Sequence, residues 1–312
     1  MSGPQPILLD PVFLEKVWGG SRLRDAFGYD IPSSHTGECW AISGHPHGDC
    51  RVQGGAYDGM TLGALWQAHP ELFGGLAGDG FPLLVKIIDA AQDLSIQVHP
   101  DDIYAREHEG GALGKTECWY VLDCDPSTTI IIGHHAGSEE QFREMVDRQQ
   151  WDELLREVPI QKGDFFQIDP GCLHAIKGGT MILETQQSSD TTYRFYDYGR
   201  LEDGKARPLH LRQCMDVTQV PFRPHPVERS CVQEGGASLT RLIACPYYTV
   251  YHAAVDGRWE RDWDKPFVNI SVIGGEGEIG GRMVEKGHHL LLPAGCGSVV
   301  IQGQLELICS HV

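Results

Sequence analysis

The chain is short of positive charge. Lys and Arg number 25 against 43 Asp and Glu, a formal net charge of -18 at pH 7, and a surface of that sign repels a phosphate backbone, which excludes a general nucleic-acid binder. It also lacks any apolar run near the roughly 20 residues of a membrane-crossing helix, so no membrane partner is expected. The opening MSGPQPILLDPVF has no basic stretch followed by an apolar core and a small-residue cleavage site, and no secretory leader is expected. No two of the ten Cys stand in CxxC spacing, and a chain of 312 residues is large enough to fold without disulfide staples. The Cys read as reduced thiols and the protein as cytoplasmic.

What the sequence has is punctuation. With 38 Gly and 18 Pro, it breaks into short segments, and at about 150 residues per domain its length suits two domains or one β-rich domain with insertions. The segments PLLVKIID, DLSIQVH, ECWYVLD and TTIIIG read as strands bounded by Asp, Gly or Pro turns. GDFFQI, TMILETQ and TTYRFYDY continue the series, and VNISVIGG, HHLLLPAG, GSVVIQG and LELIC form a last group. A helix is expected from Thr61 to Leu72. Another is expected from a Ser138 cap to about Val158, with Gln141 three residues after the cap and Phe142, Met145, Val146, Leu154 and Leu155 on one face. This composition predicts an antiparallel, mainly β sandwich or barrel of the jelly-roll kind with a short helical insertion. The Pro-rich stretch from Val220 to Ser230 suits a linker, which divides the chain into 1–225 and 226–312. GDFFQIDPG from Gly163 resembles GHHLLLPAG from Gly287. The first copy continues to His174 and the second supplies no such His, so the second half reads as structural and metal-free.

Gln97 and His99, two apart in a strand, leave the same face of a sheet. With Glu117 on a later strand and His174 after a Pro-Gly turn, they could form a compact N/O site suited to one Zn²⁺ with a position open for water or substrate. Fifteen His are present, and each is equally read as a surface or hydrogen-bonded residue; His45 and His47 are an alternative pair. Lys115 could share the Glu117 face as a proton-transfer or anion-binding group. Arg194 lies on a strand face with Thr192, Tyr196 and Tyr198, where its guanidinium could meet a phosphate or a developing oxyanion, or pair with Asp190 or Asp197.

Together these stretches resemble the short bacterial form of the type I mannose-6-phosphate isomerases. The resemblance rests on VWGG from Val17, GECWAISGHP from Gly37, LLVKIID from Leu83, LSIQVHPDD from Leu94, GKTECWYVL from Gly114, PGCLHAI from Pro170 and ETQQSSDTTYRFYDYGR from Glu184. It implies a cupin-type double jelly roll and a zinc held by Gln97, His99, Glu117 and His174. It also implies interconversion of mannose 6-phosphate and fructose 6-phosphate through a cis-enediolate, with Lys115 and Arg194 on the family's active-site positions. Trp18, Lys86 and Tyr196 are expected on the substrate side; Lys86 either helps hold the phosphate or extends from a strand end to solvent. The general cupin pattern has a carboxylate soon after a His-x-His pair. Here Gln97 replaces the first His and Glu117 lies well downstream, which argues against an iron oxygenase. The remaining rival is a non-catalytic carbohydrate-binding or regulatory cupin.

Overall fold

The segments LLVKIIDA and ECWYVLDC are largely apolar or aromatic and TMILETQQ opens on an apolar run, and all three are buried at nearly every position, so they are covered on both faces. In the computed structural model, which describes residues 4–202 and 204–312, they are the centre of a seven-stranded antiparallel sheet. Its order is Phe165–Ile168, Glu117–Cys124, Thr180–Gln187, Leu83–Ala90, Val12–Gly20, Thr36–His45, Gly48–Asp49. A five-stranded sheet runs Leu155–Pro159, Thr129–His134, His174–Ile176, Ile96–Val98, Tyr193–Tyr196.

Strand alternation separates the two layers of core. Trp119, Val121, Ile88 and Ile182 point inward and pack with Ile130, Ile132 and Ile176 of the five-stranded sheet. Their neighbours Cys118, Tyr120, Leu122, Val85, Ile87 and Leu183 point outward into a second cluster. That cluster also contains Leu242, Ile243, Tyr248, Val250, Phe267 and Ile308, so the outer face of the seven-stranded sheet is covered by the C-terminal strands. The far face of the five-stranded sheet is covered by Phe142 and Leu154 of the helical insertion and by Cys214 of the helix Leu211–Val217.

The C-terminal strands build a nine-stranded sheet: Ser230–Glu234, Ala237–Ala244, Thr249–Asp262, Ser298–His311, Phe267–Ile279, His289–Pro293, Ile7–Asp10 and Arg51–Gln53, with Arg282–Glu285 paired to the side of Phe267–Ile279. Two of these strands come from the start of the chain. Leu8 pairs with Leu290 on one side and with Gln53 on the other.

The fold is mainly β, as the punctuation predicts. Both expected helices are shorter than their apolar spacing suggests. The first runs Leu62–Ala68 from a Thr61 cap and passes into the 3-10 turn Pro70–Phe73, because Pro70 cannot donate the next helical hydrogen bond. The second begins as expected, with Ser138 Oγ accepting from the Gln141 backbone N–H at 3.2 Å. It runs Glu139–Asp147 and breaks at Gln149, which takes φ 54. After one more turn, Trp151–Leu154, the chain becomes the strand Leu155–Pro159 against Thr129–His134. Leu154 and Leu155 thus satisfy a helical spacing while belonging to different elements.

Candidate metal centre and cavity

The inner face of the seven-stranded sheet turns polar at one end. Lys86 stands opposite Glu184 across one strand pair, and Gln186 opposite Glu117 across the next, so the alternation that buries Ile88 and Val121 also points these groups inward. From the five-stranded sheet, His174 pairs in register with Gln97. The turn before His174 closes tightly: Gly171, at φ 82, donates its N–H to His99 O at 2.9 Å, and a Cβ there would stand 2.7 Å from Val217 O.

These strands bring together Gln97, His99, Glu117 and His174, the four residues expected at a metal. His99 Nε2 lies 3.4 Å from Glu117 Oε2, and His174 Nε2 lies 3.3 Å from Glu117 Oε1. The Gln97 amide is 3.3 Å from His174 Nε2, and rotating that amide by half a turn presents its oxygen instead. His99, Glu117 and His174 are at most 1% exposed. Both His99 ring nitrogens and both Glu117 oxygens are buried without a hydrogen-bond partner, although buried polar groups are ordinarily satisfied. His174 Nδ1 lies 2.8 Å from Cys172 O and donates to it, which leaves the lone pair on Nε2, facing the cluster. Orphaned, convergent N and O atoms with one carboxylate fit a divalent cation.

The electrostatics agree. Burial, with the Lys115 ammonium, depresses His99 to about 3, and burial likewise lowers His174, so both imidazoles are neutral as ligation requires. Burial alone would raise the Glu117 carboxyl, but Lys115 and His99 outweigh it and hold the group well below its ordinary range. Lys115 Nζ lies 3.1 Å from Glu117 Oε2.

Beside the cluster opens a cavity of about 370 Å³, large enough for a small polar metabolite. Trp18, Lys86, Gln97, Lys115 and Arg194 line it. Lys86 is buried in mid-strand rather than extended from a strand end: it lies 3.2 Å from Glu184, donates to Gln186 Oε1 at 2.9 Å and stands over the Trp40 ring. Burial would lower its ammonium, yet the carboxylates of Glu184 and Glu38 hold it raised. Glu184 is itself raised by burial and by Glu117. Tyr196 lies apart from the cavity wall, stacked on Trp151 at 5.2 Å. A register shift between Arg194 and Tyr196 accompanies this separation.

Arg194 is free of both suggested carboxylate partners. Asp197 binds Arg200 at 2.5 Å and takes two bonds from Arg207, at 2.7 and 2.6 Å. Asp190 instead meets His47 at 2.5 Å. Among the described residues Arg194 makes no ion pair within 4.0 Å, and its Nε is buried without a partner. Sequence reasoning missed Glu38, Trp40, Glu184 and Arg207 on the cavity wall. Glu184 had a signal only in opening the stretch ETQQSSDTTYRFYDYGR that carries the resemblance. Arg207 had none, since a loop brings it in.

A model of the type I phosphomannose isomerase catalytic domain matches residues 7–126, and a mannose-6-phosphate isomerase cupin-domain model matches residues 238–312. The chain is 50% identical over 315 residues to mannose-6-phosphate isomerase ManA of Bacillus subtilis, covering 99% of each. It is 46% identical to the mannose-6-phosphate isomerase of Streptococcus mutans, covering 98% of each. A crystal structure of a mannose 6-phosphate isomerase from Bacillus subtilis superposes with a TM-score of 0.98 at 45% identity, over 99% of this chain and 100% of that one.

Proposed function

The chain belongs to the type I phosphomannose isomerases and is a mannose-6-phosphate isomerase, and from that premise we propose that it interconverts mannose 6-phosphate and fructose 6-phosphate with one zinc at the buried cluster. The observation that carries the metal assignment is the set of orphaned atoms on His99 and Glu117 facing the free nitrogen of His174. Gln97, His99, Glu117 and His174 would hold the ion. When bound, it supplies a Lewis acid for the negative charge that develops as the carbonyl moves between carbons 1 and 2.

The chain's own groups supply the rest. Arg194, lining the cavity without a carboxylate partner, adds a fixed positive charge where the cis-enediolate oxygens form. Lys115, beside Glu117, moves the proton between those oxygens. Glu184, held by Lys86 and by the Trp119 indole N–H at 3.1 Å, lines the cavity with a carboxyl raised by burial and by Glu117, and it serves the carbon proton. Trp18 and Trp40 close the wall and exclude water. Residues 226–312 serve structure rather than chemistry: Ser298 stands where the internal repeat would place a counterpart of His174.

The test is a coupled assay of mannose 6-phosphate conversion before and after chelation. Loss of turnover on chelation and its return with Zn²⁺ is expected. A zinc-loaded, folded protein that binds a sugar phosphate without converting it would sink the catalytic reading in favour of a non-catalytic cupin.

A further inference from the structure

A second group of ligand-type side chains, His45, His47 and Asp190, brings its donor atoms within 4.8 Å of one another. Its hydrogen bonding speaks against an ion. The His47 backbone N–H donates to His45 Nδ1 at 3.2 Å, which puts the proton of a neutral His45 ring on Nε2, the nitrogen 3.7 Å from Asp190 Oδ1. A ring nitrogen that carries a proton does not ligate. His47 Nδ1 and Asp190 Oδ2 are 2.5 Å apart, whereas two atoms each about 2 Å from one Zn²⁺ stand roughly 3 Å apart or more. The group is a hydrogen-bonded relay in which Asp190 faces two imidazoles, with His45 braced edge-on against Trp40 at 5.6 Å.

The relay sits on the cavity wall at its open end. His47 and Asp190 line the cavity, with side chains 70% and 42% exposed, while Glu117 is 0% and Lys115 5% exposed at the deep end. A hexose 6-phosphate whose reacting carbons lie at the deep end must extend its phosphate away from them. At the rim a dianion keeps part of its hydration, which burial would strip at high cost. Most of the cavity's cations are already engaged: Lys86 with Glu184, Lys115 with Glu117 and Arg207 with Asp197. His47 Nε2 has no hydrogen-bond partner among the described residues.

We propose that His47, oriented by Asp190, is the arm at the cavity mouth that binds the phosphate of the substrate. The inference rests on the isomerase reading for the identity of the phosphate. An imidazole that gives one N–H to a carboxylate and the other to a phosphate is a donor on both nitrogens, the form that a phosphate dianion selects. Asp190 acts through His47, as a positioning residue.

The test uses the full-length, zinc-loaded protein, with wild-type turnover measured first so that failure of the isomerase reading is seen separately. In His47→Ala, KM for mannose 6-phosphate is expected to rise about 10- to 100-fold, from the loss of one charged hydrogen bond, with kcat changed less than about threefold. The binding constant for inorganic phosphate, measured by calorimetry and independent of turnover, should weaken by the same factor. Asp190→Asn should give a smaller change of the same kind, and His47→Lys should recover most of the affinity. Unchanged KM and phosphate binding in a folded His47→Ala protein would overturn the proposal. So would a second equivalent of bound zinc in the wild type that His47→Ala removes, since the cluster would then be a metal site.

Discussion

Glu117 is the residue on which the buried cluster depends. Its carboxylate stands between two neutral imidazoles and an ammonium, in a site where water does not reach it. Lys115 is tied to that carboxylate but is not itself a proposed ligand, so its removal takes away the proposed proton carrier while leaving all four proposed ligands in the chain. In Lys115→Ala, kcat is expected to fall about 10²- to 10⁴-fold while bound zinc, measured by atomic absorption, stays near one per chain. Retained turnover would remove Lys115 from the chemistry. Another buried imidazole has a different consequence. His289, enclosed between Tyr29 at 2.8 Å and Ser271 at 3.0 Å, is depressed by burial to about 3. In the unfolded chain the same ring titrates near 6.5. The stability it contributes is therefore whole above about pH 6.5. It is lost as pH falls toward 3, where the unfolded state takes up a proton that the folded state refuses, on the order of 5 kcal/mol in all. Urea unfolding of wild type and His289→Gln at pH 7.5 and 4.5 should show the variant losing about 3 kcal/mol less over that interval. Equal losses would show that His289 is not a source of the acid sensitivity. Residue identity carried much of this site: Gln97 points inward from the strand Ile96–Val98, His99 follows directly after that strand ends, Glu117 opens its own strand on the inward face, and His174 is set by the turn before it. The Lys86–Glu184 pair was hidden because it depends on cross-strand register, which neither strand states alone.

At the scale of elements, the turn Pro170–His174 matters more than its length suggests. It joins the strand Phe165–Ile168 of one sheet to His174–Ile176 of the other, and its glycine bonds to the backbone of His99. Gly171→Ala asks a side chain to adopt φ 82 and to stand 2.7 Å from a carbonyl oxygen, a strained state that costs more than the usual 1 kcal/mol of a left-handed residue. The variant is expected to lower the melting temperature and to weaken zinc retention under a competing chelator; unchanged retention would uncouple the turn from the cluster. Elements were legible where a stop signal was local, as with Ser138 capping Glu139–Asp147. They were illegible where pairing overrode periodicity: Leu155–Pro159 continues a helical apolar face in sequence, yet completes a sheet edge against Thr129–His134.

One core cluster is shared by the two halves of the molecule, alongside clusters that belong to each half. Leu83, Val85 and Ile87 of the catalytic sheet pack in one cluster with Leu242, Phe267 and Ile308 of the C-terminal strands, so unfolding of the two halves should be coupled. A single cooperative transition is expected in calorimetry and denaturant titration, and two resolved transitions would show independent halves. The strand Ile7–Asp10 tightens this coupling by lying between His289–Pro293 and Arg51–Gln53. Its placement also sets a schedule for the growing chain. Leu8 leaves the ribosome early, and its partner Leu290 follows about 280 residues later. At translation rates of about 5–20 residues per second, the interval is roughly a quarter of a minute to a minute. Throughout it, one edge of the nascent strand has no native partner, so this apolar segment waits for nearly the whole of the following chain before it docks, and slowed elongation or a truncated message would leave that edge available to other chains.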